Sequence, residues 1–293
     1  MNYYEFERLV VDNILDYLPR SFADAKVSVQ DVCKLGSKYK GLTIIKPGEV
    51  SSPVADLDAF YEGFVYSGRD IPYALREIAE IFKYEVPQFD VDKFQKFNAI
   101  CDKLFIRLSR AGNDALADSP HRIIGGTDLA ITYHVEVSIR GDGEKASFIV
   151  TNTLANEYGV SEEDLYKNAI NCAPRINPAH ISTLAAELGL PEGLLPIYLI
   201  TTKDKVYGAA SIAYPGVLDD LFHMIGSFFI LPSSIHEVLL VPDDGRQDVS
   251  ALMTMVREVN RTQVIPKERL SNNVYHYNGK ELSVCRDAEG SVA

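Results

Sequence analysis

From Leu129 to Ile139 the chain alternates without a break, and this constrains the fold more than any other feature. Leu129, Ile131, Tyr133, Val135, Val137 and Ile139 fall on one face, against Ala130, Thr132, His134, Glu136 and Ser138 on the other. A period of two describes a half-buried strand, with the polar set facing water. A strand needs partners for its backbone groups, so an all-helical fold is excluded. A turn around Gly141 and Gly143 and a second strand over 148–151 supply the nearest partner.

Ahead of this strand the spacing is different. Phe6, Leu9, Val10, Ile14 and Tyr17 share one helical face, and Pro19 ends that run. Val27 and Val29, followed by the apolar 41–45, predict a small hairpin. Leu57, Phe60, Tyr61, Phe64 and Val65 predict a helix, as do Leu75, Ile78, Ala79 and Phe82 behind the start signals Asp70 and Pro72. Phe94, Phe97, Cys101, Leu104, Phe105 and Leu108 continue the pattern as a third helix. The breaker-rich segment 111–120 then marks a boundary. The expectation is an α+β protein: residues 1–118 form a mainly helical lobe with a small hairpin, and 119–293 form a larger lobe with a mixed, largely antiparallel sheet packed by helices.

Within the second lobe, Ser161 and Asp164 form a capping-box pattern that opens a helix toward Cys172. A short helix over 181–188, strands over 196–202 and 206–212, a helix through Val217, Leu218, Leu221, Phe222 and Ile225, and a strand over 228–231 follow. Near the end, Asn278-Gly279 predicts a two-residue type I′ turn that sets His276 beside Glu281. Such a pair serves as a catalytic dyad in some sites, but more commonly it is an exposed cross-strand ion pair.

Composition narrows the function classes. The 293 residues carry a net charge of -12, with 46% hydrophobic and 24% charged residues, which fits a folded globular chain. Neither half holds a basic run, so direct nucleic-acid binding is disfavoured. No signal peptide or membrane span is read, and the four scattered cysteines lack a Cys-x-x-Cys pair, which suits reduced thiols in the cytoplasm. Motifs for a P-loop, a dinucleotide fold, a zincin or a hydrolase elbow are absent, and no cofactor or metal site is expected. His121, His134, His180 and His223 lack a histidine partner at helical spacing and are read as structural or exposed.

The richest segment is 233–263. A central strand is expected from Ile235 to Pro242, because Val238 to Val241 are apolar on both faces. Asp243, Asp244 and Gly245 turn the chain, Asp248 caps a helix, and Val249, Leu252, Met253, Val256 and Val259 face inward. His236 and Asp243 are separated by roughly 23 Å along an extended strand, so they belong to different sites. The helix, about 20 Å long, folds back to bring its far end near the start of the strand. Ser234 and His236 are therefore the candidate catalytic residues, with Arg257, Asn260 and Arg261 as candidate binding residues for an anion or a partner's carboxylate. The structural alternative has Glu258 pairing with the arginines on a solvated helix face while His236 satisfies a backbone group.

The segments PSSIHEVLLVPDDG, MVREVNRTQV and SNNVYHYNG resemble an uncharacterised bacterial family, domain-of-unknown-function family 5688. SPHR with TDLAITYHV, YGVSEEDLYKNAINCAPRI, YGAASIAYPGVL and the opening NYYEFERLVVDNI extend the likeness over nearly the whole chain. The order of elements in the C-terminal two thirds is more distantly similar to the YtpQ-like proteins. The resemblance implies a cytoplasmic bacterial protein and carries over no catalytic residue. Two functions remain as expectations. One is a non-catalytic interaction or regulatory protein whose partner is another protein; the other is a hydrolase or transferase acting on a small anionic substrate near His236 and Arg261.

Overall fold

The computed structural model describes all residues except 35–36, 85–90, 139–144, 192 and 287–293. It divides into two compact units, Met1–Lys93 with Ser138–Lys145 assigned to it, and Phe94–Val137 with Ala146–Ala293. The class is α+β, with antiparallel pairing in every described register.

The first unit contains α1 (Tyr3–Asn13), β1 (Lys26–Lys34), β2 (Ser37–Ile45), β3 (Val54–Asp56), α2 (Leu57–Ser67) and α3 (Ile71–Phe82). Side chains set the helix starts. Asn2 and Glu5 form a capping box on α1, Asp56 caps α2 and Asp70 caps α3, each contributing about 1 kcal/mol. The sheet runs β1-β2-β3, and Phe6, Val10, Ile14, Leu42, Ile44, Leu75 and Ile78 close the core against it.

In the second unit, β4 (Leu104–Arg110), β5 (His121–Ile123), β6 (Leu129–Ser138) and β7 (Lys145–Ile149) form one sheet, with β6 paired to the other three. The helices α4 (Asn152–Tyr158) and α5 (Glu162–Ile176) follow, the latter opened by the Ser161–Asp164 capping box. Next come β8 (Ala179–Thr183), α6 (Leu184–Glu187), β9 (Tyr198–Thr202), α7 (Val217–Ile225), β10 (Phe228–Leu231), β11 (Val238–Pro242), α8 (Val249–Thr262), β12 (Tyr275–Tyr277) and β13 (Leu282–Val284). The second sheet runs β13-β12-β10-β11-β9-β8. One of its faces meets the main core, and α8 covers the other through Leu252, Met253 and Val256. Among the described residues no helix is long and apolar enough to cross a membrane.

Several expectations are corrected. The third helix of the first lobe does not form; short 3-10 turns lead into β4, which pairs with β6 from Leu104↔Val135 to Arg110↔Leu129. Leu104, Phe105, Ile106 and Leu108 are buried on both faces of that strand, and a continuous apolar run of this kind is equally compatible with a helical stripe. Nor is 206–212 a strand. Lys205 and Tyr207 adopt φ angles of 55° and 54°, and Gly208–Ala213 then forms a buried 3-10 helix. The segment 181–188 splits into β8 and the single turn α6 because β8 pairs with β9.

The C-terminal hairpin has a four-residue loop. The Asn278 side chain accepts the N–H groups of Lys280 and Glu281, so Tyr277 pairs with Leu282 and His276 with Ser283. His276 meets Asp243 at 2.9 Å instead of Glu281. Gly279, at φ 86°, lies against Phe222, where any Cβ would come within 2.6 Å of the ring. The turn expected at 141–143 lies outside the described residues, as does the Cys33 side chain.

The expected water-facing side of β6 is also buried. Ala130, Thr132 and His134 are enclosed, and His134 Nε2 meets Thr132 Oγ1 at 3.0 Å. Burial, with a smaller contribution from the Arg107 charge, holds the His134 pKa well below its ordinary value. The stability this neutral ring contributes is fully present above about pH 6.5, the ordinary histidine value, and is lost as pH falls, because the unfolded chain then gains a proton that the buried ring refuses. Urea unfolding between pH 7 and pH 5 is expected to show a loss of up to ~1.4 kcal/mol per pH unit from this residue. The slope should be shallower in His134→Gln, and equal slopes in the two proteins would contradict the assignment.

Candidate functional site

Where α8 crosses the sheet, its last turns separate from β10 and β11 and leave a cleft of about 350 Å³. Leu231, Leu239, Met255, Val256, Val259 and Val264 form apolar walls, and Ser234, His236, Glu237 and Glu268 supply the polar end. The strand expected from Ile235 begins only at Val238, because 234–237 bends out of the sheet. Ser234 pairs with Arg269 in an isolated bridge, which brings Glu268 to the cleft.

His236 is held at several points. Its N–H donates to Ser234 Oγ at 3.0 Å, and its carbonyl accepts from Gly208 N at 2.9 Å and Thr201 Oγ1 at 3.0 Å. On the ring, Nδ1 accepts the Tyr207 N–H at 3.2 Å, so in the neutral imidazole the proton belongs to Nε2. Nε2 is 3.6 Å from the Glu268 carboxylate. The Tyr207 ring lies 5.4 Å from the imidazole, and Gly208 packs so tightly on Thr201 that a Cβ would fall 2.4 Å from the Thr201 backbone.

The structure brings Ser234 and His236 together but leaves the other three candidates outside the cleft. Asn260 is buried, and its Nδ2 donates to the Ser271 carbonyl at 2.8 Å and to Asn272 Oδ1 at 2.7 Å, which ties α8 to the following loop. Arg257 and Arg261 are exposed, and among the described residues neither forms an ion pair with Glu258 or any other acid. The fold-back of α8 does carry Val259 and Gln263 to the start of the strand.

Sequence reading missed Glu268 and Tyr207. Neither has a spacing signal, since Glu268 arrives through the Ser234–Arg269 bridge and Tyr207 through a left-handed turn. Among the described residues, the cleft lining contains two carboxylates and neither Lys nor Arg. It therefore suits an apolar group with a cationic or hydrogen-bond-donating end better than an anion. Among the described residues no group of three or more His, Cys, Asp or Glu side chains is placed to hold a metal ion.

These placements predict different mutant behaviour. Asn260→Ala is expected to cost about 1–3 kcal/mol in chemical unfolding, because it strips partners from a buried carbonyl. Arg257→Ala and Arg261→Ala are expected to stay within about 0.5 kcal/mol of the parent. A destabilisation by either arginine variant comparable with that of Asn260→Ala would contradict this geometry.

No curated protein and no solved structure matches the chain. A family match does extend over residues 3–279, nearly the whole length, and it includes the cleft, the Tyr207 turn and both sheets of the second unit apart from the edge strand β13. The chain belongs to the Family of unknown function (DUF5688).

Proposed function

We propose that this is a non-catalytic, cytoplasmic interaction protein, and that the cleft beneath α8 takes an apolar segment of a partner protein bearing a basic or hydrogen-bond-donating group. The arrangement of His236 carries this reading. Its Nδ1 lone pair is taken by the Tyr207 N–H, its Nε2 faces Glu268, and Ser234 Oγ is held by the His236 backbone N–H. Nucleophilic catalysis requires a serine hydroxyl that donates to an imidazole nitrogen free to accept its proton; here the His236 lone pair is already occupied by the Tyr207 N–H, and Ser234 Oγ meets the His236 backbone and not its ring.

Recognition fits the same geometry. Met255 stands 49% exposed at the cleft, and the apolar walls continue inward from it. Each apolar side chain seated there contributes about 1.5–3 kcal/mol, so two anchors suit a transient partner. Glu237 and Glu268 favour a basic neighbour and oppose the small anionic substrate of the enzymatic alternative. Free thiols at Cys101 and Cys172 fit a reducing compartment.

Photo-crosslinkable residues at Met255 and at Gln263, on different parts of the cleft lining, are expected to capture the same protein in the native host. The crosslinked peptide should be apolar and contain Lys or Arg. Val259→Glu should reduce the yield by about tenfold or more, corresponding to ~1.4 kcal/mol of binding. If both probes capture no more than a probe at the exposed Arg257 position, the proposal fails.

A further inference from the structure

Among the described residues, Arg107 is a partly enclosed cation with no acid beside it. It sits on β4 opposite Thr132, on the face that also carries Phe105 and His134. Its guanidinium carbon lies 3.6 Å from the Tyr207 ring centroid and 5.3 Å from that of Phe105. One terminal nitrogen donates to Ser147 Oγ at 2.6 Å, and Nε is shut off from solvent with no acceptor. Among the described residues, no carboxylate is within ion-pairing distance of this guanidinium.

Arg122 shows the usual arrangement in the same unit. Its Nε and one terminal nitrogen bond both oxygens of Glu162, and Glu163 adds a second carboxylate. With 41 acidic residues in the chain, the lack of a counter-charge at Arg107 among the described residues is not a matter of composition. Removing a guanidinium from water is costly unless charge and hydrogen bonds compensate it, and a tyrosine face and one hydroxyl compensate it only in part. Burial accordingly lowers the Arg107 pKa, although an arginine remains charged.

The surroundings are built to hold this geometry. Tyr207 keeps its ring over the guanidinium from a left-handed backbone, a conformation that a bulky residue adopts only under constraint from its neighbours. The constraints here are the Tyr207 N–H bond to His236 and the close contact of Gly208 with Thr201. Ser147 receives its hydrogen bond from Arg107 through Oγ, so its own hydroxyl hydrogen remains available to a ligand.

We infer that Arg107 anchors a binding site for a small oxyanion, a phosphate, sulfate or carboxylate group, with the Ser147 hydroxyl as second donor and the Tyr207 ring as one wall. The site is separate from the α8 cleft and shares only Tyr207 with its surroundings. Its existence does not depend on the interaction role proposed above.

The test compares unfolding of the full chain in phosphate, sulfate, acetate and chloride at equal ionic strength, with calorimetric titration of inorganic phosphate. Wild-type protein is expected to be stabilised by at least one oxyanion relative to chloride. The order of response among phosphate, sulfate and acetate identifies the class. Because sulfate and phosphate stabilise folded chains in general, the reading is the saturable part of the response: Arg107→Met should abolish that part, and Ser147→Ala should weaken binding about threefold or more. In chloride, Arg107→Met should be at least as stable as wild type, because an apolar chain replaces an uncompensated charge. Equal wild-type stability in all four salts would overturn the proposal. So would a saturable oxyanion response of the same size in Arg107→Met, or a chloride-only destabilisation of that variant, which would mark Arg107 as purely structural. Should Arg107→Met not fold, the Arg107 Nε–H resonance of the wild-type protein decides. A saturable shift with phosphate supports the site, and an unmoved resonance rejects it.

Discussion

The second unit depends on the central strand pair β10–β11 being buried on both faces. Because successive side chains of a strand point in opposite directions, each strand feeds two cores at once. Phe228, Ile230, Val238 and Leu240 enter the main core, and Phe229, Leu231, Leu239 and Val241 pack toward α8. The helix therefore has to cover the outer face of the sheet. The cleft lies where this arrangement ends: the chain leaves strand geometry at 234–237, and α8 loses the surface against which it packed.

Buried hydroxyl and amide groups, several bonded to half-buried carboxylates, give the unit its specificity. Asp128, at the start of β6, accepts both the Ser271 hydroxyl, at 2.9 Å, and the Tyr275 hydroxyl. Asn260 grips the same loop from α8. On the other side of the first sheet, Glu162 accepts from Tyr133 and Arg122 together. A buried polar group left without its partner costs more than the bond itself is worth, so these contacts reject alternative registers as well as stabilising the observed one. Arg107 stands apart from this pattern, with its charge partly enclosed and unmatched among the described residues.

Features encoded over a few residues were legible in the sequence. Capping at Asp70, Ser161 and Asp248, the apolar stripes of α1, α3 and α8, and the alternation of β6 depend on neighbours one or two turns away. The misread elements depend on distant ones. Phe97, Cys101, Leu104, Phe105 and Leu108 satisfy helical spacing, but β6 provides a pairing edge that a helix would leave unused. Asn278-Gly279 signals a turn correctly, but the Asn278 side chain and the Phe222 ring set the loop length. Thr132 and His134 look water-facing from alternation alone, which cannot show that both faces of a strand are covered.

Ser234 and His236 could be placed at the entry to β11 from sequence because polar residues introducing an apolar strand are conspicuous, and a helix of known rise returns to that point. The sequence by itself thus determined the α+β class, the starts of α3, α5 and α8, and the central position of β11. Tertiary structure decided the chemistry there. It turned Asn260 inward, left Arg257 and Arg261 outside, brought Glu268 and Tyr207 to His236, and enclosed Arg107 between residues far apart in the chain. Side-chain spacing within an element is set by local geometry, whereas the pairing of charges and donors across elements exists only once long-range contacts fix which faces meet.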